Sequence, residues 1–227
     1  MSHSDQGIRV AGGWLAIAAF TLALALIFHG PPSPDLGVQM QLIADGSLRW
    51  SIVHSGAAVS LCCFAIAGLI ALTAGSRLTQ NWWTMSAWAV LPIGALLTVN
   101  TAISEATVIF EAAVSGNREV FEAWWGFAEG MGNGFAAMAI AFTAIAANEA
   151  RHPHGTVFHW AARVASVLGI ASFSGWVLGS WLGLPFGGPI WLISSLLMCL
   201  WLSWFGISLA RADVGLVTRQ RDVPSKA

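Results

Sequence analysis

Residues 96–137 read LLTVNTAISEATVIFEAAVSGNREVFEAWWGFAEGMGNGFAA: two largely apolar runs joined by the polar bend Ser115-Gly116-Asn117-Arg118-Glu119. The bend predicts an antiparallel helical hairpin. At about 1.5 Å of rise per residue, positions equally far from the bend then lie at the same depth. The polar residues of the two runs follow that rule. Glu111 and Glu122, Glu105 and Glu129, and Asn100 and Asn133 are each nearly equidistant from the bend, giving three polar levels. Polar and ionisable groups are costly in hydrocarbon, and where they occur they face a protein interior or a watery cavity and mark function. The hairpin is therefore the expected site.

The rest of the chain decides the solvent. Of 227 residues, 56% are hydrophobic and only 9% charged, with a mean hydropathy of +0.70, well outside the range of soluble domains. Six stretches, roughly 10–28, 50–74, 84–113, 120–147, 157–182 and 188–210, reach the ~20 residues that cross a bilayer. The expectation is an all-α, six-helix transmembrane bundle: one domain over residues 1–211, followed by a disordered polar tail over 212–227. The run from Arg9 to Phe28 is read as a retained first span rather than a cleaved signal peptide. Arg9, Arg77, Arg151, Arg163, Arg211, Arg219, Arg221 and Lys226 fall on one side, against Arg49 and Arg118 on the other. By the positive-inside rule both termini are cytoplasmic, in an inner, bacterial-type membrane.

Between the first two spans, Gly30-Pro31-Pro32-Ser33-Pro34 cannot be helical, and Val38-Gln39-Met40-Gln41-Leu42-Ile43 predicts a short interfacial helix. His54 lies one turn into the second span, in its outer half. His29, followed by Gly-Pro-Pro, is read as a loop residue near the same mouth. Pro92 predicts a kink before Asn100 that opens space beside the hairpin. Gly126, Gly130 and Gly134 form one small-residue ridge and Gly175, Gly179 and Gly183 another, both read as helix-packing devices. Most of the 13 tryptophans, including Trp50, Trp124, Trp125, Trp181 and Trp191 at the outer surface, are assigned to interfacial belts.

Several chemistries are excluded by pattern. A net charge of −1 without a basic stripe leaves no nucleic-acid footprint. Cys62, Cys63 and Cys199 sit in apolar segments without a CxxC pair, so neither a disulfide framework nor a thioredoxin-like centre is implied. Paired haem histidines, a GxSG serine-protease motif and the adjacent glutamates of CAAX proteases are missing, and the one lysine, Lys226, lies in the tail, away from any Schiff-base position. His152, His154 and His159 crowd one basic loop, but at no standard zinc spacing.

Arg9-x-x-Gly12 opening the first span, the amphipathic segment before the second and the basic turn into the glycine-rich fifth span resemble a family of uncharacterised six-helix bacterial membrane proteins. The resemblance covers most of the chain and implies the same fold, with no reaction or residue roles attached.

The candidate proton donors and acceptors are Glu105 and Glu129, each about 10 Å or more below the surface. The candidate ligand-binding residues are Asn100, Glu111, Glu122, Asn133, His54, Trp124 and Trp125. Two plainer readings stand beside these: Glu111 and Glu122 as ordinary interfacial carboxylates, and Glu105 with Glu129 as a proton-sharing pair that only fixes helix register. Three functions follow. The first is an outer acidic pocket that binds or transports a cation or small amphiphile; no cofactor is identified, and a divalent cation is compatible with the ligand types. The second is acid–base chemistry on an isoprenoid or other membrane lipid, by analogy with sterol isomerases and terpene cyclases, with tryptophan shielding positive charge. The third is a non-catalytic subunit of a larger assembly of membrane-protein partners.

Overall fold

A computed structural model of the chain describes residues 3–30, 33, 35–152 and 155–211. The tail at 212–227 therefore lies outside the described residues, as do Pro31, Pro32, Pro34, Pro153 and His154. Everything regular among the described residues is helical, and six helices or helix pairs are long and apolar enough to cross a membrane. The chain is an integral membrane protein, a six-helix bundle.

The spans are α1 (His3–His29), α3 (Ser47–Thr73), α4 (Trp82–Ser104) continued through a π turn (Glu105–Ile109) into α5 (Phe110–Ser115), α6 (Arg118–Met131) with α7 (Gly134–Arg151), α8 (His159–Trp176) continued through a second π turn (Val177–Trp181), and α9 (Gly187–Arg211). The short helix expected before the second span is α2 (Leu36–Asp45), started by the Asp35 side chain, which accepts from Val38 N. Each span packs on its neighbour in sequence: α1 on α3, α3 on α4, α4 on α7, α7 on α8 and α8 on α9. The ring closes where α9 packs on α1. Phe64 of α3 meets Phe142 of α7 across its interior, ring centroids 5.3 Å apart.

Small residues make the tight crossings. A Cβ on Gly134 would strike the Gly94 carbonyl and Thr98, and one on Gly12 would lie 2.7 Å from the Gly206 carbonyl. Gly175 meets Trp191 and Gly179 meets Gly187 in the same way. These backbones come close enough to replace the packing that larger side chains supply elsewhere. The first expected ridge is corrected in part: Gly134 alone of its three lies in a crossing, while Gly126 and Gly130 have open space around the missing Cβ. Gly183 also has open space, and its φ of +64° fits it to the turn after the second π segment.

The bend end carries a core of its own. Ile43 of α2, Trp50 of α3, Ile109 of the π turn, Ala112 and Ala113 of α5, and Phe121 and Ala128 of α6 are buried together. Gly116 reverses the chain with a φ of +72°, a left-handed conformation that glycine adopts without strain. Asn117 then starts α6 by accepting from Val120 N. This cluster holds α2 against α5 and fixes the start of α3 beside the π turn, which sets up the site described next.

At the opposite end, Glu149 is fully buried. Its Oε2 takes Arg77 Nη1 at 3.0 Å, and its Oε1 takes the Thr156 backbone N–H and, at 2.9 Å, the Thr156 hydroxyl. One carboxylate thus ties the turn at Arg77 to the loop leaving α7.

Candidate functional site

Three side chains converge at the bend end. α1 delivers His29 at its last residue, where Gly30 ends the helix with a φ of +77°. α3 delivers His54 in its second turn, and the π turn opens with Glu105. One ligand atom from each lies within 4.8 Å of the others, and among the described residues no other group of three His, Cys, Asp or Glu comes together in this way.

The hydrogen bonds fix how the imidazoles are presented. His54 Nδ1 lies 2.8 Å from the Trp50 carbonyl oxygen, and His29 Nδ1 lies 2.7 Å from that of Gly30. A carbonyl only accepts, so both Nδ1 atoms carry hydrogen and both rings keep Nε2 for another partner. His54 Nε2 stands 2.5 Å from Glu105 Oε2. Both groups are largely withdrawn from the surface, with side-chain exposures of 6% for His54 and 13% for Glu105. Trp50 lids the pair: its ring centroid lies 4.2 Å from that of His54 and 5.1 Å from that of His29, and the two imidazoles meet edge-on at 5.0 Å. A π turn widens the helix by one residue and is frequent at functional sites; here it begins at the residue that faces His54.

The other expected residues are placed elsewhere. Glu129 is exposed and accepts from Trp125 Nε1 at 3.1 Å, one turn earlier on its own helix. Its expected meeting with Glu105 is therefore corrected: Glu105 pairs with α3. Asn100 is exposed and donates to Leu96 O at 3.0 Å, whereas Asn133 accepts from Trp176 and Trp181 at 3.2 and 2.7 Å, so the hydrogen bonds of this level run to other partners. Glu111 is exposed, and Glu122 pairs at 2.6 Å with exposed Arg118. Trp124 is exposed and packs edge-on against Phe127; Trp125 stacks on Phe121. The physical reason is azimuth. Equal distance from a bend fixes depth, but side chains turn about 100° per residue, and both runs are interrupted, one by the π turn and the other between α6 and α7 at Gly132 and Asn133.

Two residues acquire roles that the sequence reading did not give them. His29 is part of the cluster, not a loop residue, because α1 remains helical up to it. Trp50 is buried rather than a belt residue. Their signal was available: His29 ends a helix at the outer mouth, and Trp50 precedes His54 by one helical turn. Arg49 stands at the rim, its guanidinium 3.8 Å from where a Cβ on Gly30 would lie. Of the three loop histidines, His159 donates through Nδ1 to Ala150 O at 3.0 Å, and His154 lies outside the described residues. Between α1, α7, α8 and α9 there is an apolar cavity of about 20 Å³ lined by Leu22, Phe135, Phe142 and Met198. It has room for one water and not for a lipid chain.

No protein family, curated protein or solved structure matches this chain.

Proposed function

We propose that this membrane protein binds a cation at the His29–His54–Glu105 centre, in the half of the bilayer that the distribution of basic residues turns outward from an inner membrane. One observation supports this above the others: the 2.5 Å separation of His54 Nε2 and Glu105 Oε2. With Nδ1 committed to the Trp50 carbonyl, a neutral His54 offers only a lone pair at Nε2, and an ionised Glu105 offers only lone pairs as well. Two bare acceptors at that distance repel, so a positive species belongs between them. The smallest such species is a proton, shared by the pair in the resting protein. A competing cation takes its place and releases it. Exchange of a cation against a proton inside a bilayer is the elementary step of binding and of coupled transport alike.

The test is proton release. The purified chain, in weakly buffered detergent solution with an indicator dye, is challenged with alkali, alkaline-earth, transition-metal and organic ammonium cations. One class is expected to release protons from the wild type and none from E105Q. Equal release by the two proteins would sink the reading. Uptake into vesicles by the same pair of proteins then separates transport from binding.

A further inference from the structure

We infer that the cation is a divalent first-row transition metal of the zinc class, held by Nε2 of His29, Nε2 of His54 and one carboxylate oxygen of Glu105. This rests on the cation-binding reading above and names the kind of ion that fits it.

The ligand set makes the choice. Two imidazole nitrogens and one carboxylate oxygen suit zinc, cobalt, iron or nickel, whereas magnesium and calcium take oxygen ligands. A proton needs only His54 and Glu105 and leaves His29 without a purpose; a metal uses all three. The outer contacts are also those of a metal site. Ligating histidines commonly donate the second ring nitrogen to a backbone carbonyl, which fixes the tautomer and turns the other nitrogen to the ion. His29 does this through Gly30 and His54 through Trp50. The edge-on imidazoles, with centroids 5.0 Å apart, allow their Nε2 atoms to converge on one point. The three ligand atoms come from three elements of the chain, the end of α1, the second turn of α3 and the π turn, so that the site exists only in the folded bundle.

Metal–nitrogen bonds of about 2.0–2.1 Å in a tetrahedral centre place ligand atoms roughly 3.3 Å apart. Entry of the ion therefore widens the His54–Glu105 contact from 2.5 Å, with His29 already within 4.8 Å of both. The balance is one metal ion in and the shared proton out, leaving two neutral imidazoles and one carboxylate on a dication. Three protein ligands leave a fourth position for water, as in sites that exchange or react rather than purely structural ones. Arg49, at the rim, is the nearby charge that opposes entry.

The experiment uses the full chain without a polyhistidine tag, in mild detergent, titrated with Co²⁺. The expected result is one cobalt per chain with the visible bands of a four-coordinate ion, bleached by Zn²⁺, and one proton released. H29A and E105Q should each lose more than the about 10–100-fold that an outer-shell change costs. E129Q and the loop variant H152A/H154A/H159A should bind as the wild type does, and R49Q should bind more tightly. H29A is the informative variant, since His29 contacts the backbone next to it and its loss leaves the His54–Glu105 pair in place. If H29A melts like the wild type and binds cobalt undiminished, the inference is overturned; so it is if cobalt is lost only in the loop variant. If neither Co²⁺ nor Zn²⁺ binds while another cation still releases protons through Glu105, the metal assignment falls and cation binding stands. If no cation releases protons, both fall.

Discussion

Trp50 gives its carbonyl to His54 and its ring to both histidines, yet its own Nε1 is buried with no hydrogen-bond partner among the described residues. An unsatisfied buried donor costs about 1–3 kcal/mol, so the ring rather than the N–H is what the site uses. W50F, which removes the stranded donor and keeps an aromatic face, should melt at or above the wild-type temperature and retain cation-induced proton release. W50A should lose about 3–5 kcal/mol of packing and release fewer protons. Thermal unfolding in detergent and the dye assay decide between these outcomes, and a W50F that loses the assay signal would show that the indole itself matters. Glu149 makes a second case. E149Q leaves the Arg77 guanidinium without its counter-ion and should cost about 3 kcal/mol, the lower end for a broken buried pair because Arg77 is partly exposed. An unchanged melting temperature would mean that Arg77 finds water instead. At this scale the sequence was legible where a residue was chemically conspicuous in its own span, as His54 and Glu105 were. It was not where the partner came from far along the chain. The prolines after His29 read as a loop, the general preference of tryptophan for interfaces hides the burial of Trp50, and nothing local marks Glu149, since Arg77 lies 72 residues away.

At the scale of elements, spans were legible from length and apolarity alone, while the way two spans face each other was not. The hairpin reading gave Glu105, Asn100, Glu129 and Asn133 their depths, but rotation about the helix axis comes from packing: Thr101 donates to the Ala128 carbonyl at 2.8 Å, Gly94 abuts Gly134, and the π turn resets the register after Ser104. Glycines show the same division. A G-x-x-x-G spacing is readable, whereas the member of it that touches a neighbour is not. Gly130 has open space where a Cβ would go, so G130A should be neutral or stabilise α6 by up to about 1 kcal/mol through helix propensity. Gly134 has the Gly94 carbonyl and Thr98 in that space, so G134A forces α4 and α7 apart and should cost about 1–3 kcal/mol. Melting temperatures of the two single variants, measured side by side, test the crossing; equal effects would mean that α4 and α7 do not meet at Gly134.

At the scale of the whole molecule, the arrangement of the spans predicts which side of the membrane the proposed centre faces. An even number of spans puts the ends of the bundle's chain on one side, and the closed ring joins them there, where Arg9 Nε donates to the Ala210 carbonyl at 3.0 Å. The bend at Ser115 and the His29–His54–Glu105 centre lie at the other end, with Arg49 and Arg118. Lysine and arginine near span ends are retained on the cytoplasmic side, so the excess of arginine at the opposite end predicts that the proposed centre faces outward. Single cysteines test this directly once Cys62, Cys63 and Cys199 are replaced by alanine. Ser115 is exposed at the bend, and Gln80 is exposed on the connection between α3 and α4 at the basic end. In intact cells S115C should react with a membrane-impermeant maleimide and Q80C should not; permeabilising the cells should make Q80C reactive as well. The reverse pattern would turn the protein over, so that the proposed centre would face the cytoplasm. A centre near one end of the bundle meets the solution on that face, so in vesicles whose S115C is labelled from outside, the proposed cation exchange should appear when metal is added outside and not when it is enclosed.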